Sequence, residues 1–224
     1  MIRGPRRVRA GAIASALVFI AACTSTASPA PSSSSSQAGA TAPPAASATV
    51  DTGPARYTPA DVRFMSGMIL HHAQAILMAG WAPTHDANAS VRTLCERIVV
   101  GQRDEIALMS RWLAERQEPV PDPAHAMMPG MPHSMLMPGM LTDAQLAQLD
   151  SARGATFDRL FLQFMIQHHQ GAITMVNELF GSQGGGEEDN VYRMAANVFA
   201  DQTTEIERMQ RMLAPLLFQG STPP

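Results

Sequence analysis

Four long stretches of the chain carry apolar residues at alternating steps of three and four, the period of one buried face of an α-helix. The first runs Phe64, Met68, His71, Ala75, Met78, with Met65, Ile69, His72, Ile76 and Ala79 on the adjoining stripe. The second runs Ile98, Gln102, Glu105, Met109, Trp112. The third repeats the first as Phe161, Met165, His168, Ala172, Met175, and the fourth runs Val198, Gln202, Glu205, Met209, Met212. No stretch alternates with the period of two that marks a half-buried strand. Punctuation residues bound the helices. Thr58-Pro59-Ala60-Asp61 supplies an N-cap, a first-turn proline and a first-turn acid, and Gly80 and Pro83 stop that helix near Trp81. The second helix is expected from Asn88 or Ser90 to about Gln117, ahead of Pro119, Pro121 and Pro123. Thr142-Asp143-Ala144-Gln145 reads as a capping box opening a helical stretch to Phe180, which Gly154 divides into a short and a long piece. Gly184-Gly185-Gly186 forms a loop, and the fourth helix is expected to end at Pro215.

The third stripe copies the first at a constant displacement of 97 positions, Asp61 and Asp158 included, and Gln102, Glu105, Ile106 and Met109 return 100 positions later as Gln202, Glu205, Ile206 and Met209. The folded part is therefore expected to be one helix-loop-helix unit used twice, over 57–118 and 142–215, with a connector over 119–141. Two antiparallel pairs of this length close most naturally into an all-α four-helix bundle of ferritin-like architecture spanning about 57–219.

Each copy places a His-His pair on its apolar face and a Gln and a Glu on the facing stripe. Adjacent helical residues are ~100° apart, so the two histidines of a pair diverge, one toward the bundle axis and one toward a neighbouring helix. A carboxylate is seldom buried without a partner or a cation. His71, His72, His168, His169, Glu105 and Glu205 are thus candidates to meet at mid-bundle. Two readings remain open for them: metal ligation, with Met68 and Met165 close by, or a buried hydrogen-bond network that fixes helix register. A di-iron oxidase centre needs Glu-x-x-His on two helices. That motif is absent, which weakens a ferritin-like oxidase reading using the mid-bundle Glu and His without removing it.

Composition adds a second candidate. The 224 residues include 16 Met and only 2 Cys. Met128, Met131, His133 and Met137 fall in the connector, where Met-Pro-Gly-Met occurs at 128–131 and again at 137–140. Thioethers suit Cu(I) and imidazole accepts either copper state, so copper contact competes here with an apolar strap. Charged residues are only 16% of the chain and the net charge is −3, which argues against a nucleic-acid partner. No catalytic triad, phosphate-binding glycine loop or zinc-type cysteine cluster is present, so an enzyme is the less favoured class.

At the N-terminus Arg3, Arg6, Arg7 and Arg9 precede an apolar run, Ala10–Ala22, that is too short to span a bilayer. It ends in Ile20-Ala21-Ala22-Cys23, similar to a lipobox. The reading is a lipoprotein signal over 1–22, lipidation at Cys23, and a Ser/Ala/Pro tether over 23–56 that lacks the apolar residues to fold. The protein is expected on the outer face of the cell membrane. Cys95, left without a partner, is expected to be a small core residue.

The duplicated Phe-x-x-x-Met-Ile-x-His-His-x-x-Ala-Ile-x-Met, joined by Met-Pro-Gly-Met, resembles the DUF305 family of bacterial exported proteins over about 57–215. The resemblance implies a ferritin-like four-helix bundle. Some relatives bind copper in the periplasm through Met and His, which implicates Met68, His71, His72 and Met78 with their counterparts Met165, His168, His169 and Met175. Copper, as Cu(I) or Cu(II), is the metal implied, ahead of iron or another transition metal.

Overall fold

The computed structural model describes residues 57–124 and 136–218. The export signal, Cys23, the tether, and Met128, Met131 and His133 lie outside the described residues. Five helices follow in order: α1 (Pro59–Gly80), α2 (Ala89–Glu115), α3 (Asp143–Ser151), α4 (Gly154–Phe180) and α5 (Asp189–Phe218). The described residues are all-helical, and none of these helices is long and apolar enough to cross a membrane. α1 packs along α2, α4 along α5, and α1 faces α4.

The caps form where the sequence placed them. Thr58 and Asp61 make a reciprocal capping box at α1, Asn88 caps α2, and Thr142 with Gln145 makes a second box at α3. α2 ends before its prolines because Gln117 takes a left-handed φ of 58° and Glu118 N–H closes onto the Leu113 carbonyl. One boundary departs from expectation: α5 continues through Pro215 to Phe218. The proline removes a single backbone bond, to the carbonyl of the exposed residue 211. Leu213 and Leu216 still pack on the core and hold the last turn helical.

The apolar core divides into two clusters, one toward each end of the bundle. One joins the second half of α1 (Ala75, Met78) to the first halves of α2 and α4 (Leu94, Ile98, Phe157, Phe161, Met165), with Leu149 of α3 and Met209 of α5. The other joins the first half of α1 (Phe64, Met65, Met68) to Met109 and Trp112 of α2, Ala172 and Met175 of α4, and Val191 and Val198 of α5. The four helical histidines belong to neither cluster. They form a polar layer between them.

The two repeats are tied to each other by exchanged hydrogen bonds. Asp61 of the first accepts the Gly186 N–H from the second repeat's loop at 2.7 Å, and Asp158 of the second accepts the Asn88 N–H at 3.1 Å and its amide at 2.7 Å. Buried acids at equivalent positions thus each clamp the opposite repeat's interhelical loop.

Candidate functional site

The layer is built by the helical phase of each His-His pair. His71 and His168 turn toward each other between α1 and α4, with ring centroids 3.8 Å apart and ring planes inclined by 40°. His72 turns toward α2, its Nε2–H donating to Glu105 Oε2 at 2.7 Å, and His169 turns toward α5, its Nε2–H donating to Glu205 Oε2 at 2.7 Å. All four rings are buried, while the two Glu side chains keep 16% and 22% of their surface. The divergence of each pair is the one the helical arithmetic predicts.

The polar groups of this layer are poorly satisfied. Among the described residues, the buried side-chain nitrogens and oxygens with no hydrogen-bond partner are Nδ1 of His71, His72 and His169, both ring nitrogens of His168, both amide atoms of Gln102, and Oε1 of Gln202. Every one lies in the His layer or on the Gln positions beside it. A buried polar atom left unpaired costs about 1–3 kcal/mol. A carboxylate accepts and does not donate, so Glu105 and Glu205 fix the tautomer that carries H on Nε2. In the neutral ring the Nδ1 lone pair then remains available. Burial, with the neighbouring histidine rings second, lowers the His71 pKa to about 3, and the same causes hold His168 well below the ordinary value. Both rings are therefore neutral donors at physiological pH, with no proton competing for the lone pair.

The connector breaks the twofold pattern. Its described part lies against α1 and α4, where His71 Nε2–H donates to the Pro138 carbonyl at 3.0 Å and Gln74 exchanges two bonds with the Leu141 backbone at 2.7 and 3.0 Å. The repeat-equivalent of Gln74 is Gly171. A Cβ there would overlap the Pro138 carbonyl, so glycine is needed for the close approach. His168, the equivalent of His71, receives no such bond. Gln74 and Gly171 carry no repeat signal in the sequence, because they are positions where the two copies differ.

The candidate methionines are divided by the fold. Met68 and Met165 are buried one turn before their histidines, about 4.5–6 Å along the axis, and border the layer. Met78 and Met175 lie about two turns from it, in different apolar clusters. Met175 instead meets the connector: its Cε and the Met137 sulfur converge over Gly67, whose missing side chain leaves them room. Cys95 is buried, and burial foremost pushes its thiol up to about 12, which fits a core residue. His85 has both ring nitrogens engaged, with Thr84 Oγ1 at 3.0 Å and the Asp150 carbonyl at 2.8 Å, and serves as a joint between loop and α3.

On the side of the layer formed by α2 and α5, a cleft of about 270 Å³ is lined by Gln102, Glu105, Asp201, Gln202 and Glu205. Loss of water and then the charges of Glu105 and Glu205 raise the Asp201 carboxyl, so these three acids share one field. Among the described residues, no group of three or more His, Cys, Asp or Glu side chains is placed to hold a metal ion in common. The layer is an array of unpaired donors.

A family model described as a domain of unknown function, DUF305, matches residues 61–213. The chain belongs to the DUF305 family. Among solved structures, a DUF305 fragment from Deinococcus radiodurans is 30% identical, with TM-score 0.61, covering 71% of this chain and 98% of that one. A DUF305 protein from Streptomyces coelicolor, classed there as secreted, is 29% identical over 70% of this chain and 93% of that one, with TM-score 0.58. CopM in its Cu(II)-bound form is 29% identical over 69% and 96% of the two chains, with TM-score 0.57. It has also been solved with Cu(I) and with silver. A mimivirus protein of Acanthamoeba polyphaga is 33% identical over 57 residues, 25% of this chain and 38% of the viral one, so this chain matches about two fifths of that relative's length.

Proposed function

We propose that this DUF305 protein is an exported copper-binding protein that sequesters or relays the ion outside the cell, held at the membrane by a lipid on Cys23. The observation that carries the reading is the set of unpaired imidazole nitrogens on His71, His72, His168 and His169. A layer whose only task is helix register gains nothing from them, because each unpaired atom weakens the fold. Neutral imidazole is a good ligand for either copper state, and the thioethers of Met68 and Met165 one turn away suit Cu(I). Glu105 and Glu205 act as orienting partners for His72 and His169. Met137, which converges with Met175 over Gly67, adds softer thioether donors, and Met128, Met131 and His133 are candidates beside it on their ligand chemistry alone. Met78 is the most remote member of the ligand set from the imidazoles, about two turns along α1. The CopM structures with Cu(II), Cu(I) and silver support the metal class, and the basic N-terminal segment and the secreted relative support export.

Titration of the full chain with Cu(I) under reducing conditions, against a chromophoric chelator, tests this. Wild type should bind at least one equivalent tightly. His71→Leu/His168→Leu should weaken one equivalent by 100-fold or more. Binding no tighter than that of a His-poor control protein, or an unchanged double variant, would overturn the assignment.

A further inference from the structure

We infer that residues 136–141 are a coupling strap: through the Pro138 carbonyl they fix His71 as an Nδ1 ligand and link occupancy of the imidazole layer to the seating of the Met137 thioether. The inference rests on the copper reading above and adds a regulation of that same layer. Three of the four buried imidazoles have an acceptor for Nε2–H. For His72 and His169 it is a glutamate on the paired helix, 2.7 Å away. For His71 it is the Pro138 carbonyl at 3.0 Å, and of the three acceptors this one alone stands on a segment outside the helices. The bond places the ring hydrogen on Nε2 and leaves the unpaired Nδ1 lone pair for a ligand. His168 has no acceptor, so the strap makes the two central rings unequal.

Departures from the repeat gather on this strap. At the displacement of 97 positions, Gly67 answers to Phe164, Leu70 to Gln167 and Gln74 to Gly171. At least one member of each pair holds the strap. Gly67 leaves room for the Met137 sulfur, which would stand 3.1 Å from a Cβ there. Gln167 donates its amide to the Gly139 carbonyl at 3.3 Å, Gln74 bonds both the N–H and the carbonyl of Leu141, and Gly171 admits the Pro138 carbonyl. Residues 137–140 form a turn closed by Met140 N–H on the Met137 carbonyl at 3.1 Å, with Gly139 at a φ of 76°. A left-handed φ at the third position of a Pro-Gly turn sets the central peptide, and here its carbonyl meets His71. Gly67, His71 and Gln74 lie on one stripe of α1 at steps of four and three, so Met137, Pro138 and Leu141 meet that helix in register. A shift of the strap therefore moves the thioether and breaks the His71 bond together. An imidazole ligated at Nδ1 is a stronger donor at Nε2–H. Ligation at His71 thus tightens the strap, and by linkage a seated strap raises the affinity of the layer by the same factor.

Hydrogen exchange at the Leu141 amide, which donates to Gln74 Oε1 at 2.7 Å, reports the seating of the strap. The full chain is followed with and without saturating Cu(I) under reducing conditions. In wild type, Cu(I) should slow this amide at least tenfold. In His71→Leu the slowing should fall below twofold, although Met137 and the other three imidazoles are intact. Gln74→Met, which releases Leu141 and leaves every candidate ligand in place, should weaken Cu(I) binding by the factor that wild type shows in exchange. Leu141 exchange unchanged by Cu(I) in wild type, slowing preserved in His71→Leu, or a Gln74→Met affinity within twofold of wild type would overturn the coupling. Any of these with imidazole-bound copper in wild type counts against the strap alone. A wild type that does not bind Cu(I) counts against the copper reading and the strap together.

Discussion

Two kinds of buried polar assembly occur in this bundle, and they are built to opposite standards. At the junctions every group has partners. Asp61 and Asp158 each clamp a loop of the other repeat, and Glu188 accepts bonds from Trp112, Val191, Asn190 and Arg116. Burial alone would raise the Glu188 carboxyl, but those donors outweigh it and hold it below its ordinary value. In the mid-bundle layer the histidines, equally buried, keep unpaired nitrogens. The same chain satisfies its buried polar groups at the junctions and leaves imidazole nitrogens unpaired in the mid-bundle layer.

The sharpest way to break this contrast is at a junction. Asp158→Ala removes the charge-assisted bonds that tie Asn88 to α4 and should destabilise by about 3 kcal/mol in chemical denaturation. A loss below ~1 kcal/mol would mean the junctions are no better built than the layer. Next in size, Gly171→Ala pushes the connector from the α1/α4 face and should cost about 2–3 kcal/mol. Its specific signature is faster hydrogen exchange at the Leu141 amide, which Gln74 now holds.

Acid separates the two assemblies. His71 has a folded pKa of about 3 against 6.5 when unfolded, so the unfolded chain binds the extra proton between those values. Stability is fully present above pH 6.5 and falls as pH drops toward 3, by about 2 kcal/mol between pH 7 and 5. Glu188, being depressed, contributes only to losses at lower pH, as its carboxylate protonates. A pH series of denaturation midpoints should therefore decline already above pH 5, and His71→Leu should remove part of that decline, His168 supplying the rest. The smallest stability effect is expected at His168→Leu. Replacing a ring with two unpaired nitrogens by an apolar side chain should change stability by less than ~1 kcal/mol and toward greater stability. A loss of several kcal/mol would return the layer to a structural role.

The bundle was legible in the sequence because its signals are local and repeated: Thr58, Asn88 and Thr142 as caps, and stripes that return at fixed displacement. The divergence of His71 from His72 followed from helical geometry alone. The unpaired nitrogens did not, since whether a neighbour reaches a ring depends on side-chain placement across helices. The roles of Gln74 and Gly171 were hidden for a related reason. They are the sites where the two copies differ, and each has meaning only through a partner distant in the chain. Pro215 misled because a helix-breaking residue was outweighed by the packing of Leu213 and Leu216.

On the reading proposed above, metal reaches the imidazoles of the mid-bundle layer. Copper K-edge X-ray absorption of the Cu(I)-loaded full chain tests it most directly. Nitrogen scatterers with the multiple-scattering pattern of imidazole are expected beside sulfur, and the imidazole pattern should be lost in His71→Leu/His168→Leu. A shell of sulfur alone, identical in wild type and double variant, would contradict it.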